Sequence, residues 1–212
     1  VLADGSSTDR TRELATKLGA KVIKTTNKAM FHINKNLAIT SCHGDWIFLI
    51  DADERVSIQL AKEIKEIASR KPQENGFWVN RRNWFLGGYL TKGGAYPDSG
   101  IRLFRRGKGK LPQISVHEQV AIIGTVGQLQ NDILHFADPD FARYLMRANR
   151  YTEETAANIA KINPGRGPVP LFYYSIVLPL FTFIKIYFRH RGYVDGMRGF
   201  FWAFFSGIHH FF

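Results

Sequence analysis

Two aspartates separated by one residue, Asp51 and Asp53, directly follow the apolar run 46–50, whose composition predicts a β-strand. In a tight turn, two carboxylates at this spacing face a common ion, and hard oxygen ligands select Mg²⁺ or Mn²⁺. A divalent ion held in this way would bind a diphosphate. The spacing alone is a weak signal, because it also occurs in solvated turns whose acids cap a following helix.

Asp4 stands in a similar position, after the short apolar segment 1–3. Ligands of open α/β sheets bind beyond the carboxyl ends of the strands, so we expect Asp4, Asp51 and Asp53 to face one crevice. Because the first residue is not Met and only three residues precede Asp4, we interpret the chain as N-terminally truncated. The first strand and helix of the fold would then be missing.

The elements that must position these acids alternate between helix and strand. Apolar spacing predicts helices over 9–18 and 30–42 and a third helix over 60–68. Strands are predicted over 20–25 and 46–50. This alternation predicts an α/β fold, with a mostly parallel sheet flanked by helices.

Further short strands are predicted in the middle of the chain, at 76–82, 100–105, 114–123 and 126–135. The loop between the first two is rich in glycine, and loops of that length are often functional. We therefore assign residues 1–137 to one domain that contains the sheet.

The region 138–212 has a different composition. A helix is predicted over 139–162, and 15 of the 29 aromatic residues of the chain lie beyond Pro170. The charge-free run 169–184 is short for a membrane crossing and contains two prolines, which favours a helix that lies in the membrane interface. An ordinary helical subdomain packed on the sheet is the alternative.

The chain carries a formal charge of +11, from 29 Lys and Arg against 18 Asp and Glu. Anionic partners are therefore expected, whether nucleotides, nucleic acid or a membrane surface. Residues 141–212 hold nine basic and three acidic residues, so an anionic bilayer would attract the aromatic region. The single cysteine, Cys42, excludes an internal disulfide and a multi-cysteine zinc site, which fits a cytoplasmic protein.

In order and spacing, several segments of the chain resemble the family 2 inverting glycosyltransferases. The first four are D-G-S-S-T-D-R-T at 4–11, K-N-L-A at 35–38, G-D-W-I at 44–47 and D-A-D-E-R at 51–55. Later segments are similar to the lipopolysaccharide core β-glucosyltransferases: R-R-N-W-F-L-G-G at 81–88, Y-P-D at 96–98, R-L-F-R-R at 102–106, V-H-E at 116–118 and D-G at 195–196. The resemblance covers nearly the whole chain and implies a nucleotide-sugar-binding fold of the GT-A type.

The resemblance implies donor-binding roles for the matching residues. Asp4 would accept a hydrogen bond from the base, Lys35 would lie near the base or the phosphates, and Asp51 would lie near the ribose. Asp53 would bind the metal ion, Mg²⁺ or Mn²⁺. A carboxylate can read the imide N–H of uracil, so a UDP-sugar is the expected donor. The alternative for Lys35 is a solvated helix face.

Inverting transfer requires a base that deprotonates the acceptor hydroxyl as it attacks the anomeric carbon. By resemblance the base is Glu118, which follows a predicted strand, and Asp98 is its competitor. A carboxylate with an ordinary pKa of about 4.3 is ionised at pH 7. Asp98 would otherwise orient the acceptor.

Three further residues complete the predicted site. Related enzymes often place a histidine on the metal where this chain has His135, and the alternative is a core histidine. His117 is expected on the acceptor side. Arg102 is expected to meet a phosphate of the acceptor, and the alternative is a solvated edge strand that charge protects from aggregation.

Together these features predict a metal-dependent hexosyltransferase, peripheral on the cytoplasmic face of the inner membrane, that acts on a glycolipid or lipopolysaccharide core. Transfer to a polyprenyl phosphate is an alternative on the same fold. A nucleic-acid-binding module would explain the charge, with Trp78 and Trp84 stacking on bases, but it gives no reason for acids at strand ends. A membrane scaffold without activity would explain only the aromatic region.

Overall fold

The computed structural model describes residues 1–28, 30–113, 119–138, 140–162, 165 and 167–212. The chain divides into two compact units. Unit 1 comprises Val1–Asp51, Ser57–Val79 and Ser99–Asp132, and unit 2 comprises Ala52–Val56, Asn80–Asp98 and Ile133–Phe212. Each unit is therefore assembled from segments that are distant in the sequence.

The described residues form short strands and helices, of which the last two helices are named here the apolar helix and the terminal helix. In chain order the elements are β1 (Leu2–Asp4), α1 (Thr11–Lys17), β2 (Val22–Lys24), α2 (His32–Thr40), β3 (Trp46–Phe48), β4 (Glu54–Val56), α3 (Ile58–Arg70), β5 (Gly76–Phe85), β6 (Gly88–Tyr89), β7 (Asp98–Arg105), β8 (Gly109–Lys110), β9 (Ala121–Ile122), β10 (Val126–Gln128), β11 (Ile133–His135), α4 (Phe141–Ile162), the apolar helix (Pro168–Arg189) and the terminal helix (Gly196–Ile208).

Unit 1 contains both parallel and antiparallel strand pairs. Strands β1 and β2 pair in parallel and are connected by α1, and β10 pairs in parallel with the beginning of β5. Strand β3 pairs with β7 and β8 pairs with β9, both antiparallel. A buried apolar cluster from α2, β3, β7 and the following segments fills the unit: Ile39, Ile47, Ile101, Phe104, Leu111 and Val120.

Unit 2 is built around β11. This strand pairs antiparallel with β4 and parallel with the second half of β5, so that His135 lies opposite Glu54 on one side and Asn83 on the other. Strand β6 extends the end of β5 as a hairpin. Phe85, Leu90 and Tyr144 form the buried core together with side chains of the terminal helix. Helix α4 thus packs by its Tyr144 face.

The apolar and terminal helices form an antiparallel hairpin. Gly199, Ala203 and Gly207, spaced four residues apart on the terminal helix, are all buried. A Cβ at Gly207 would lie 2.6 Å from the carbonyl oxygen of Pro179, so only glycine permits this approach. Small residues at this spacing allow close helix contact, as in membrane helix pairs.

The apolar helix is long and apolar enough, by length and composition alone, to cross a membrane. It continues beyond the charge-free run 169–184 through Lys185 to Arg189, so the helix is longer than that run, and the expectation of a helix in the membrane interface stays a prediction. Neither Pro170 nor Pro179 ends this helix. Pro170 lies in the first turn, where its missing N–H needs no partner, and a π-helical turn over Tyr173–Val177 precedes Pro179.

The structure confirms the predicted helices, with α1, α2 and α4 all lying inside the predicted ranges and α3 extending the predicted 60–68 at both ends. Two expectations about strands are wrong. The sheet is mixed rather than mostly parallel, because β4 pairs antiparallel with β11 and β7 pairs antiparallel with β3. The predicted strand 126–135 is divided into β10 and β11. Residues 114–118 of another predicted strand lie outside the described residues.

Candidate active site

In unit 1, Asp51 lies between two cations. Lys35, on α2, places its Nζ 2.5 Å from Asp51 Oδ1, and Arg102, on β7, places Nη1 3.2 Å from Asp51 Oδ2. Burial raises the pKa of Asp51, but Lys35 and Arg102 outweigh it, so the net pKa is lowered. The cluster thus keeps an ionised carboxylate next to two cationic side chains, which suits a ribose diphosphate.

Arg102 therefore lies beside Lys35 and Asp51, two of the residues that were expected to contact the nucleotide. β3 and β7 are neighbours, and this pairing brings Arg102 next to the chain that leads to Asp51. The expectation that Arg102 serves the acceptor stays a prediction. Local sequence could not reveal this contact, since 51 residues separate the two partners.

Asp4 ends β1 and is 3% exposed. Its Oδ1 accepts a hydrogen bond of 2.8 Å from the backbone N–H of Ser7, and its Oδ2 pairs with Arg12 Nε. The Ser7 hydrogen bond is the main cause of the lowered pKa of Asp4, and Arg12 adds to it. A nucleotide base that binds Asp4 would share this carboxylate with Arg12.

In unit 2, Asp53 and His135 approach each other. The distance between His135 Nε2 and Asp53 Oδ2 is 3.4 Å, and the backbone N–H of Phe136 donates to the carbonyl of Asp53 at 2.8 Å. The contact with His135 lowers the pKa of Asp53, although burial opposes this. The turn after β3 and the end of β11 thus place a carboxylate oxygen of Asp53 close to an imidazole nitrogen of His135.

The hydrogen-bond network assigns the tautomer of His135. Asn83 Nδ2 donates to the carbonyl of Ala95 and to Asp98 Oδ2, each at 3.0 Å. The other end of the amide, Oδ1, must therefore accept, and it lies 2.6 Å from His135 Nδ1. His135 Nδ1 carries a proton, and Nε2 faces the Asp53 carboxylate.

Asp53 and His135 fit a divalent cation as a pair of donors. Their facing atoms are close enough for one ion to contact both, and the Asn83 contact orients the ring in the way that outer partners orient metal-bound histidines. Among the described residues, no group of three His, Cys, Asp or Glu side chains could hold a metal. Further ligands would have to come from a diphosphate or water, as is usual for Mg²⁺.

Asp98 is held by Arg81 and Asn83. Arg81 donates to Asp98 Oδ2 from Nε at 2.9 Å and from Nη2 at 2.6 Å, and it also contacts the buried Glu54 at 3.4 Å. Burial raises the pKa of Asp98, but the hydrogen bond from Asn83 and the charge of Arg81 lower it overall. Asp98 is thus ionised but firmly paired, which weakens it as a proton acceptor.

His117 and Glu118 lie outside the described residues, so the choice between Glu118 and Asp98 as the base stays open. Asp51 and Asp53 belong to different units and are each described with their own neighbours. The expectation that Asp4, Asp51 and Asp53 face one crevice therefore stays a prediction.

A cavity of about 590 Å³ lies within unit 2. Its wall includes Arg81, Asp98 and His135, together with residues of α4 and the terminal helix. Sequence reasoning did not single out the following lining residues: Asn83, Asp138, Tyr144, Arg147, Trp202 and His209. Of these, only Asn83 belongs to a motif that the sequence analysis quotes. Asp138 precedes α4, His209 directly follows the terminal helix, and the remaining three lie in helices where the sequence pattern indicates packing alone.

Comparison with known proteins identifies the family of the chain. The profile described as Glycosyl transferase family 2 matches residues 1–117. The chain therefore belongs to the family 2 glycosyltransferases. Membership implies a GT-A fold, with which the mixed sheet and its flanking helices are consistent.

Among individual relatives, the chain is 31% identical over 180 residues to the lipopolysaccharide core biosynthesis glycosyltransferase LpsC of Rhizobium meliloti (strain 1021). That match covers 80% of this chain and 65% of LpsC. An uncharacterized glycosyltransferase of Rickettsia typhi is 25% identical over 212 residues, covering 94% of this chain and 70% of the relative. A TPR repeat-containing protein of Synechococcus elongatus is 33% identical over 121 residues, covering 57% of this chain and 28% of the relative.

Proposed function

We propose that the chain is a metal-dependent, inverting glycosyltransferase that moves a hexose from a UDP-sugar to a lipid-linked or lipopolysaccharide core glycan. The observation that carries this proposal is the network of Asp53, His135, Asn83 and Asp98 in a member of family 2. The similarity to LpsC, whose name refers to lipopolysaccharide core biosynthesis, supports the acceptor class. The enzyme would act on the cytoplasmic face of the inner membrane.

The donor would be bound by unit 1. Asp51 would accept hydrogen bonds from ribose hydroxyls, and Lys35 and Arg102, which flank it, would face the phosphates. Asp4 would accept a hydrogen bond from the imide N–H of uracil in exchange for part of its contact with Arg12. Both carboxylates have lowered pKa values, so they are acceptors across the physiological pH range.

Asp53 and His135 would hold Mg²⁺ or Mn²⁺. When bound, such an ion neutralises negative charge on a departing nucleoside diphosphate. The contribution of this chain is orientation: Asn83 fixes the His135 ring with Nε2 toward Asp53.

A base must take the proton of the attacking acceptor hydroxyl on the face of the sugar opposite the leaving group. Glu118 is proposed for this step, and Asp98 is the competitor. The pairing of Asp98 with Arg81 favours a positioning role, because a carboxylate with a lowered pKa accepts a proton less readily.

A binding experiment tests the donor and metal assignments together. UDP-glucose, UDP-galactose and UDP-N-acetylglucosamine are titrated into the protein with and without Mn²⁺. We expect Mn²⁺-dependent binding that Asp53→Ala removes, since one of two protein ligands is lost. Asp45→Ala is the matched control, because Asp45 is an exposed acid with a side chain 91% accessible. Mn²⁺-dependent binding that survives in Asp53→Ala would refute the ligand assignment.

Transfer to a polyprenyl phosphate is the second candidate, and the exposed apolar helix favours it to the same degree as a glycolipid acceptor. Offering both acceptor classes with labelled donor separates the two. Label on truncated lipopolysaccharide cores supports the first, and label on undecaprenyl phosphate supports the second.

A further inference from the structure

One buried carboxylate of unit 2 is only half paired. Asp138 is 4% exposed, and its Oδ2 forms an ion pair with Arg147 of α4. Its Oδ1 is buried and has no hydrogen-bond partner among the described residues. A buried acceptor without a donor costs stability, so its presence calls for an explanation.

Asp138 lines the cavity of about 590 Å³. The same wall carries the aromatic side chains of Trp84, Tyr144 and Trp202. This volume lies in the range of about 300–1,000 Å³ that small-molecule sites occupy, and mostly apolar walls with a few polar groups are typical of such sites. A carboxylate oxygen without a donor beside flat aromatic surfaces matches a sugar, which has hydroxyl donors on its rim and apolar C–H faces.

The cavity also reaches residues that connect it to the apolar surface of the chain. Phe205, Ser206 and His209 of the terminal helix form part of its wall. That helix packs along the apolar helix, whose most apolar stretch is not buried within the chain. A sugar carried by a membrane lipid could therefore enter the cavity while its acyl or prenyl chains stay beside the apolar helix.

We propose that this cavity is the acceptor site and that Asp138 Oδ1 accepts a hydrogen bond from a hydroxyl of the acceptor saccharide. The inference rests on the proposed transferase function and adds the place and the polar contact of the acceptor. Arg147 holds the carboxylate by the opposite oxygen, Oδ2, and Asp138 forms part of the cavity wall. Asp98 and His135 line the same cavity, so a bound saccharide lies within reach of the residues assigned to the reaction.

The test uses deacylated lipopolysaccharide core oligosaccharides of increasing length, titrated calorimetrically into the full chain. We expect at least one of them to bind, and we expect Asp138→Ala to weaken its binding tenfold or more. Asp138→Asn retains the volume of the side chain and replaces the alanine variant in the titration if that variant does not fold. Ser206→Phe places a bulky ring in the cavity wall without altering Asp138, and we expect it to abolish binding.

Glu153→Gln is the matched control, because Glu153 is an exposed acid on α4 outside the cavity lining, and its binding should equal that of the parent. Circular dichroism and thermal melts establish that each variant is folded. Binding that is unchanged in Asp138→Asn and Ser206→Phe, or a parent chain that binds no core oligosaccharide, would overturn the inference. A parent that binds UDP-sugar but no oligosaccharide contradicts only the acceptor site, whereas a parent that binds neither contradicts the proposed function as well.

Discussion

Asn83 connects the Asp98 carboxylate with the His135 ring, and we propose a role for both. Its amide donates to Asp98 and accepts from His135, so one side chain helps Arg81 to lower the pKa of Asp98 against burial and also orients the His135 ring. Neither effect requires Asn83 to touch a substrate. It is a positioning residue, and its contribution is measurable separately from the chemistry.

At the scale of single residues, we expect Asn83→Ala to weaken Mn²⁺ binding by about 10- to 100-fold, which is the usual effect of removing an outer partner of a metal ligand. The His135 ring would lose the acceptor that holds Nδ1–H. Titration of Mn²⁺ in the presence of UDP measures the change. Asn149→Ala, which removes an exposed amide of α4, is the control. Equal Mn²⁺ affinity in Asn83→Ala and in the parent would contradict the network argument.

Asp138 predicts a pH dependence of stability. Burial raises the pKa of Asp138, although Arg147 opposes this. The folded state therefore holds the proton to higher pH than the unfolded state, whose aspartate pKa is about 3.9. As the pH rises from that value through the folded pKa, this group destabilises the fold. Asp138→Asn abolishes the titration.

We therefore expect the parent to lose stability relative to Asp138→Asn as the pH is raised from 4 to 7. Thermal melts of both proteins over this pH range measure the difference, and other titrating groups cancel in the comparison. A difference in melting temperature that stays constant with pH would contradict the raised pKa.

At the scale of elements, the turn between the apolar and terminal helices holds the loop that follows β6. The Asp195 carboxylate accepts hydrogen bonds from the backbone N–H groups of Thr91 and Lys92 and from the Thr91 hydroxyl, at 2.6 to 3.1 Å. Trp202 Nε1 donates to the carbonyl of Gly93 at 3.1 Å. Gly196 follows with φ of +60°, which favours glycine. The D-G pair at 195–196 is explained by this contact.

Asp195→Ala removes the acceptor of this loop, and we expect it to destabilise unit 2 by about 1 kcal/mol, a typical net value for such hydrogen bonds. The amides of Thr91 and Lys92 would exchange faster with solvent because their acceptor is gone. Hydrogen exchange read by mass spectrometry measures this change. The Glu153→Gln variant controls for the loss of a surface charge, and undiminished protection of the 91–92 amides in Asp195→Ala would show that Asp195 does not hold the loop.

At the scale of the whole molecule, exposed apolar side chains are densest along the apolar helix among the described residues. Leu180 and Phe181 of the apolar helix are 55% and 60% exposed. Lys185, Arg189 and Arg191 follow in the chain near the turn of the hairpin. Apolar surface next to positive charge suits an anionic bilayer, which supports the proposed association with the inner membrane.

We expect the double variant Leu180→Asp/Phe181→Asp to lose binding to vesicles that contain 30% phosphatidylglycerol, because each aspartate costs about 3 kcal/mol in a bilayer-embedded helix. Cosedimentation measures the bound fraction. The control is Leu18→Asp/Ile58→Asp in unit 1, where two exposed apolar residues are changed in the same way. If the Leu180/Phe181 variant sediments with vesicles as the parent does, the apolar helix is not the membrane-binding element.

Local patterns in the sequence were sufficient for helices α1 to α4 and for the family, but did not predict the terminal helix. The periodicity of apolar residues predicted α1, α2, α3 and α4, because a helix is formed by contacts between residues three and four apart. The D-x-D turn and its neighbouring motifs identified family 2, since their residue types and order are visible without a structure.

Tertiary structure alone decided strand direction and side-chain contact. Strand β4 pairs antiparallel with β11, and β7 pairs antiparallel with β3. Nothing in a five-residue pattern encodes the direction of a partner strand that lies far along the chain. The pairing of Arg102 with Asp51, the tautomer of His135 and the half-paired Asp138 all depend on groups brought together from distant segments. Composition and periodicity report local preference, whereas hydrogen bonds, buried charges and cavities exist only once the chain has folded.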